Sequence, residues 1–177
     1  MVKNIIEDNN IYLRKLNLDD DLSKYLSWVN DKEMTVYMEL RHKEHSIDDL
    51  KRYLGSHLES NNYLCGIFKK SDDSHIGNVL LSLIDEDNKH CDIGIFIGRE
   101  YWGYGFGSTA VNLLCEYVFD TLKLNKIIAG VVKENVGSKK LFEKCGFVLE
   151  GIGKEEFKIN DKFLDVLWFG KINTGDR

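Results

Sequence analysis

Apolar and polar positions divide the chain into segments of two periods. Ile11-Tyr12-Leu13-Arg14-Lys15-Leu16 suits a strand, and Leu22, Tyr25, Leu26 and Val29 then recur at helical spacing behind an acidic start at Asp19-Asp20-Asp21. A second helix is expected from Ser46, where Ser46 and Asp49 come close to a capping box, through Leu50, Tyr53, Leu54 and Leu58. The middle reads as three strands, Tyr63 to Lys69, His75 to Ile84 and Cys91 to Ile97, joined by short polar turns that imply antiparallel neighbours. Beyond a run of glycines, Ala110, Val111, Leu114, Cys115, Val118 and Phe119 return to helical spacing, and Ile127 to Val132 makes a buried strand. Strand, glycine turn, helix and strand form a βαβ unit, which pairs its strands in parallel. A short helix from about Val136 to Lys144, ended by Gly146, leads to Phe147 to Leu149 and to a hairpin, Glu156 to Ile159 and Phe163 to Phe169, that completes a mixed sheet.

Composition narrows the classes of function. The 177 residues contain no proline and no Gly/Ser-rich linker, so a single domain over residues 1–177 is expected. A hydrophobic share of 43%, a charged share of 30% and a net charge of -5 describe a soluble globular chain with no general affinity for nucleic acid or an anionic membrane. The mild acidity suits a cationic partner, if weakly. Cys65, Cys91, Cys115 and Cys145 are widely spaced, with neither a zinc pattern nor a redox pair, so buried thiols in a reducing compartment are expected and no metal. The N-terminus lacks a signal-like apolar core and no run approaches ~20 apolar residues. A cytoplasmic protein is expected.

The chemistry concentrates at Ile93 to Ser108, I-G-I-F-I-G-R-E-Y-W-G-Y-G-F-G-S. Alternating Gly103, Gly105 and Gly107 close a strand and open a helix, a junction whose free N–H groups suit a phosphate. No Lys-Ser/Thr follows, which argues against a nucleoside-triphosphate loop, and the G-x-G-x-G spacing is not the dinucleotide fingerprint. From glycine spacing alone, a tight turn packed on the sheet is the competing reading.

Two blocks together resemble the GNAT superfamily of N-acetyltransferases. Trp102-Gly103-Tyr104-Gly105-Phe106-Gly107 is similar to its acetyl-coenzyme A loop, Arg/Gln-x-x-Gly-x-Gly/Ala, with Trp102 at the Arg/Gln position, and a Trp-Gly-x-Gly-x run looks like the branch of ribosomal-protein N-terminal acetyltransferases and their small-molecule relatives. Downstream, Asn135 to Phe147 resembles the N-x-x-S-x-x-L-Y-E-K-x-G-F signature. The resemblance covers Ile76 to Phe169, and the first sixty residues in outline. It implies an α/β (α+β) fold, a mixed, mostly antiparallel sheet of about seven strands splayed in a V and flanked by helices. It also implies acetyl-CoA as cosubstrate: the backbone of Ile95, Phe96 and Ile97 pairs with the pantetheine arm, the amides of Tyr104 to Ser108 hold the pyrophosphate, and Trp102, Asn135 and Ser138 complete the cofactor contacts. Asn135 is equally suited to capping a helix.

Acetyl transfer to an amine passes through a tetrahedral intermediate and needs a proton removed from the ammonium. By resemblance the base falls on Asp92, which otherwise reads as a carboxylate at a strand start. The Tyr often used to protonate the thiolate is Phe142 here, leaving Ser138, Tyr104 or water, and none is assigned. A catalytically silent acyl-CoA-binding domain is the alternative. The acceptor is left open among an amino sugar, a polyamine and a peptide N-terminus: Trp28 suits a sugar face or a core, Arg41 and His42 a phosphate or solvent, and Glu33, Glu39 and Asp92 a cation. The final hairpin suits pairing with a second copy.

Overall fold

The computed structural model describes residues 6–175. Eight strands form one sheet in the order β1-β2-β3-β4-β5-β6-β8-β7: β1 (Ile6–Glu7), β2 (Ile11–Lys15), β3 (Tyr63–Lys69), β4 (His75–Asp85), β5 (His90–Ile97), β6 (Lys126–Val132), β7 (Val148–Ile159) and β8 (Lys162–Ile172). Every pair is antiparallel except β5 with β6. This is the mixed sheet expected, with the two-residue β1 added at its edge by a turn in which the Asp8 carboxylate accepts the N–H groups of Asn10 and Ile11, both at 2.8 Å.

Alternation along each strand gives the sheet two faces, one packed by helices along its length and the other over the β2 to β4 half. On one, Ile76, Val79, Leu81, Cys91, Ile93, Ile127, Ala129 and Phe169 pack with Val111, Leu114 and Cys115 of α4 (Phe106–Glu116) and Phe142 of α5 (Val136–Lys144). On the other, Leu16, Leu64 and Phe68 meet α1 (Ser23–Val29) and α3 (Ile47–Leu58), which bring Tyr25, Trp28, Leu50 and Leu54. A four-residue α2 (Lys32–Thr35) and a 3₁₀ turn, Glu39–His42, link those two helices. All four cysteines are buried free thiols.

Local signals are realised where side chains satisfy the helix ends. Ser46 and Asp49 form a full capping box on α3, and α5 ends in a left-handed Gly146 (φ 80°) whose N–H reaches the Glu143 carbonyl at 3.1 Å. Of the acidic start at Asp19 to Asp21, Asp21 meets the helix, its carboxylate accepting the Ser23 N–H at 2.9 Å, although the N-cap position itself falls on Leu22. Asp20 is drawn instead to Arg14 at 2.8 and 2.9 Å and to the Asn17 N–H at 2.7 Å. The two short strands expected at Phe147 to Leu149 and Glu156 to Ile159 are one strand, β7, with pairing irregular between Gly153 and Phe157.

Candidate active site

The sheet opens where its single parallel pair ends. β5 has eight residues, yet only His90, Cys91 and Asp92 pair with β6, opposite Lys126, Ile127 and Ile128. Past Asp92 the strands diverge into a V. The Gly98 N–H bonds the Ile76 carbonyl on β4 at 3.0 Å, which, by antiparallel alternation, turns the backbone groups of Phe96 toward β4 and those of Ile95 and Ile97 toward the gap. The indole N–H of Trp102 takes the Ile97 carbonyl at 2.7 Å. The free polar edge of the V is therefore the Ile95 N–H and carbonyl with the Ile97 N–H.

The glycine turn lies at the mouth of this gap. Gly103 (φ 82°) and Gly105 (φ 85°) are left-handed, and a Cβ on either would meet nothing within 4 Å. They are glycines for conformation, and they keep the surface open. Gly107 differs: it has ordinary helical backbone, and a Cβ there would make van der Waals contact with Leu141 of α5 at 3.4 Å and Ile97 at 3.6 Å, so it faces the packed side of α4 without requiring glycine. Gly105 caps α4 without a side-chain bond, and the N–H groups of Phe106, Gly107 and Ser108 find no acceptor among the described residues. The Ser108 hydroxyl bonds back to the Gly105 carbonyl at 2.9 Å, holding the turn. Three uncapped amides at the positive end of an eleven-residue helix fit a pyrophosphate. Tyr104, 72% exposed, stands out from the turn with its ring 6.1 Å from that of Phe106.

The preceding segment is pinned to the N-terminal helices. Arg99 forks to Asp31 at 3.0 Å and Glu33 at 2.7 Å, and Lys24 donates to the Tyr101 hydroxyl at 2.9 Å. Across the V, Asn135 caps α5, its Oδ1 accepting the Ser138 N–H at 3.1 Å; its Nδ2 and the Ser138 hydroxyl have no protein partner among the described residues. Capping therefore leaves the amide donor free for a ligand.

Asp92 stands at the vertex, half-buried and with no hydrogen bond or ion pair among the described residues. Burial raises its pKa above the usual carboxylate range, opposed by His90, two residues earlier on the same face. Phe142 lies in the core with its ring 5.1 Å from that of Phe147 and presents no proton donor.

Two acceptor-side alternatives are decided. Trp28 is a core anchor, 3% exposed, edge-on to His75 and Phe96 at 5.2 and 6.3 Å, and is not free to stack on a sugar. Arg41 is committed to the Met38 and Lys158 carbonyls, both at 2.6 Å, with its guanidinium 4.3 Å from the Phe157 ring centre, which leaves it unsuited to a phosphate. Sequence reading also passed over His90, Trp168 and Glu156. Period-two alternation puts His90 beside Asp92, but only the strand register brings Trp168 of β8 over Gly130 of β6.

Comparison with known proteins agrees with this geometry. Residues 10–148 match the acetyltransferase (GNAT) domain family. The chain is 35% identical over 168 residues to the uncharacterized N-acetyltransferase p20 of Bacillus licheniformis, covering 89% of each. It is 35% identical over 121 residues to the spermidine N(1)-acetyltransferase of Vibrio cholerae, covering 68% of this chain and 70% of that one. The structure of spermidine N-acetyltransferase from Vibrio cholerae in complex with CoA and spermine superposes with a TM-score of 0.83 at 30% identity, over 93% of this chain and 96% of that one. With its family match running from β2 through both strands of the V and the glycine turn to the start of β7, the chain belongs to the GNAT acetyltransferase family.

Proposed function

We propose that this acetyl-CoA-dependent N-acetyltransferase acetylates a primary amine of a small polycation of the spermidine type, with Asp92 as the base. The observation that carries the reading is the V itself: an unpaired strand edge beyond Asp92, flanked by an open turn with three uncapped amides. When bound, acetyl-CoA supplies the activated acetyl group as a thioester. The amides of Phe106, Gly107 and Ser108, with those of Tyr104 and Gly105 beside them, would hold its pyrophosphate. The free edge at Ile95 and Ile97 and the Asn135 amide would hold its pantetheine arm, with Trp102 and Ser138 at the margins.

Orientation of the two reactants in the V does most of the work. Asp92, with its pKa raised by burial, stands nearer the operating pH than an ordinary carboxylate and would take the proton from the acceptor ammonium, directly or through one water. With Phe142 in the core, the thiolate would take its proton from water, which a thiol pKa of about 8.5 permits. A polyamine is favoured over an amino sugar because Trp28 and Arg41 are occupied in the fold, whereas Glu33 and Glu39, though paired with Arg99 and with Arg41 and His42, keep most of their surface open, and the Vibrio cholerae relative matched by both sequence and structure is a spermidine acetyltransferase. A peptide N-terminus is the acceptor that the ribosomal-protein branch implies.

Thiol release from acetyl-CoA, measured with spermidine, putrescine, glucosamine and short N-terminal peptides, tests the proposal. Turnover with spermidine well above the others is expected. Preferred turnover of the sugar or peptide overturns the acceptor, and CoA binding without turnover of any amine leaves the silent-domain reading, which the buried Phe142 favours.

A further inference from the structure

One half of the sheet's second face carries no helix. There, register and alternation bring Asp92 and Gly94 of β5, Ile128 and Gly130 of β6 and Trp168 of β8 onto one surface. Gly94 is exposed, with open space where a Cβ would be. Gly130, at the same level across the V, is covered by the six-membered ring of Trp168, whose Cζ3 lies 2.9 Å from where a Cβ would stand. Glycine at 130 therefore lets the indole lie across β6 toward the gap. Trp168 as a whole is 37% exposed, so the indole is only partly covered.

A carboxylate is fixed at the edge of that ring. The indole N–H donates to Glu156 Oε2 at 2.9 Å. Glu156 belongs to the irregular stretch between Gly153 and Phe157, where Glu155 is left-handed (φ 56°), and its carboxylate folds back over Gly153, into the space a side chain there would fill. No cation pairs with Glu156 among the described residues. The nearby lysines are engaged elsewhere, Lys154 with Asp165 at 2.9 Å and Lys158 5.3 Å from the Phe163 ring centre. A π face with an unneutralised carboxylate at its rim suits an ammonium group.

Resting on the amine-acetylation reading above, we propose that Trp168 and Glu156 bind the second ammonium of the acceptor, making this a site for diamines and polyamines rather than monoamines. β5 and β8 flank β6, so their backbones stand about 10 Å apart at the last β5–β6 pair and further apart beyond it, a gap that an amine with two separated charges bridges while one nitrogen reaches Asp92. The 3₁₀ turn before α3, tied to β7 through Arg41, bounds the far side.

Steady-state kinetics with spermidine and n-butylamine, on native protein and on Glu156→Gln, Trp168→Ala and Trp168→Phe, test the site. Glu156→Gln keeps an acceptor for the indole N–H and removes the charge, and Trp168→Phe keeps a ring. The kcat/KM preference of native protein for spermidine over butylamine should fall about tenfold in Glu156→Gln and Trp168→Ala, through KM, and less in Trp168→Phe. Native protein without that preference, or variants that keep it, would overturn the inference. Should native protein turn over no amine at all, the acetylation reading fails by itself. Calorimetric titration of CoA-loaded protein with spermidine then decides the site: weaker binding by Glu156→Gln upholds it, and equal or absent binding in both proteins overturns it.

Discussion

Asp92 and Ile128 are the last paired residues of β5 and β6, and two positions further on Gly94 and Gly130 face each other across an open gap. The carboxylate proposed as the base thus stands at the vertex of the V, where burial and access coexist.

Replacing that carboxylate should separate chemistry from folding. Asp92→Asn should lower kcat by about a hundredfold and remove the acid limb of the pH profile, measured by thiol release. Its effect on stability has the opposite sign. Because burial raises the folded-state pKa, the native state holds this proton more tightly than the unfolded chain, and stability falls as pH rises from the unfolded value through the folded one. Asp92→Asn should therefore melt higher than native protein at neutral pH, and the gap should close below about pH 4.

The two kinds of glycine in the turn should respond differently. Gly105→Ala meets no neighbour but forces a left-handed alanine, costing about 1–2 kcal/mol and disturbing the uncapped amides. CoA affinity should fall at least about tenfold by calorimetry while circular dichroism is retained. Gly107→Ala introduces only ordinary contact with Leu141 and gains helix propensity, so its stability should stay within about 1 kcal/mol of native.

Trp28 should behave as core. Trp28→Ala is expected to cost about 3–5 kcal/mol in urea unfolding, as for other large buried side chains. Gly98→Ala, whose Cβ would fall 2.7 Å from the Trp28 ring, should cost about 1–3 kcal/mol by overpacking. A Trp28→Ala protein of native stability with an altered acceptor KM would reverse this assignment.

His75 should make the fold acid-sensitive. It is buried between Phe68 and Trp28, ring centres 4.9 and 5.2 Å away, and its Nε2–H donates to Asn78 Oδ1 at 2.9 Å and the Gly77 carbonyl at 3.0 Å. Burial lowers its pKa, so below the unfolded value the unfolded chain binds the proton that native protein refuses. Stability present at about pH 7.5 should decline by about pH 5.5, and His75→Phe should flatten that decline in urea titrations.

Local signals were readable because their physics is local. The Ser46 and Asp49 box, the Gly146 cap and the alternation of β3, β4 and β5 depend on residues a few positions apart. Asp20 misleads for the converse reason: its guanidinium partner is Arg14 on β2, and the contest between helix cap and ion pair is settled only when the strand is in place.

The same division runs through the site. Apolar periodicity determined the βαβ unit, and the glycine run with the Asn135 to Phe147 block determined the family and marked the turn proposed to hold the donor, because a close approach to a phosphate demands particular residue types in sequence. Tertiary structure decided what lies across from that turn. It buried Trp28, tied Arg41 to β7, turned Phe96 away from the gap and laid Trp168 over Gly130. The last two follow from pairing among β4, β5, β6 and β8 and the first two from the docking of α1 and the 3₁₀ turn on the sheet, between segments as far apart as Arg41 and Lys158 in sequence, where no local pattern records which residues will meet.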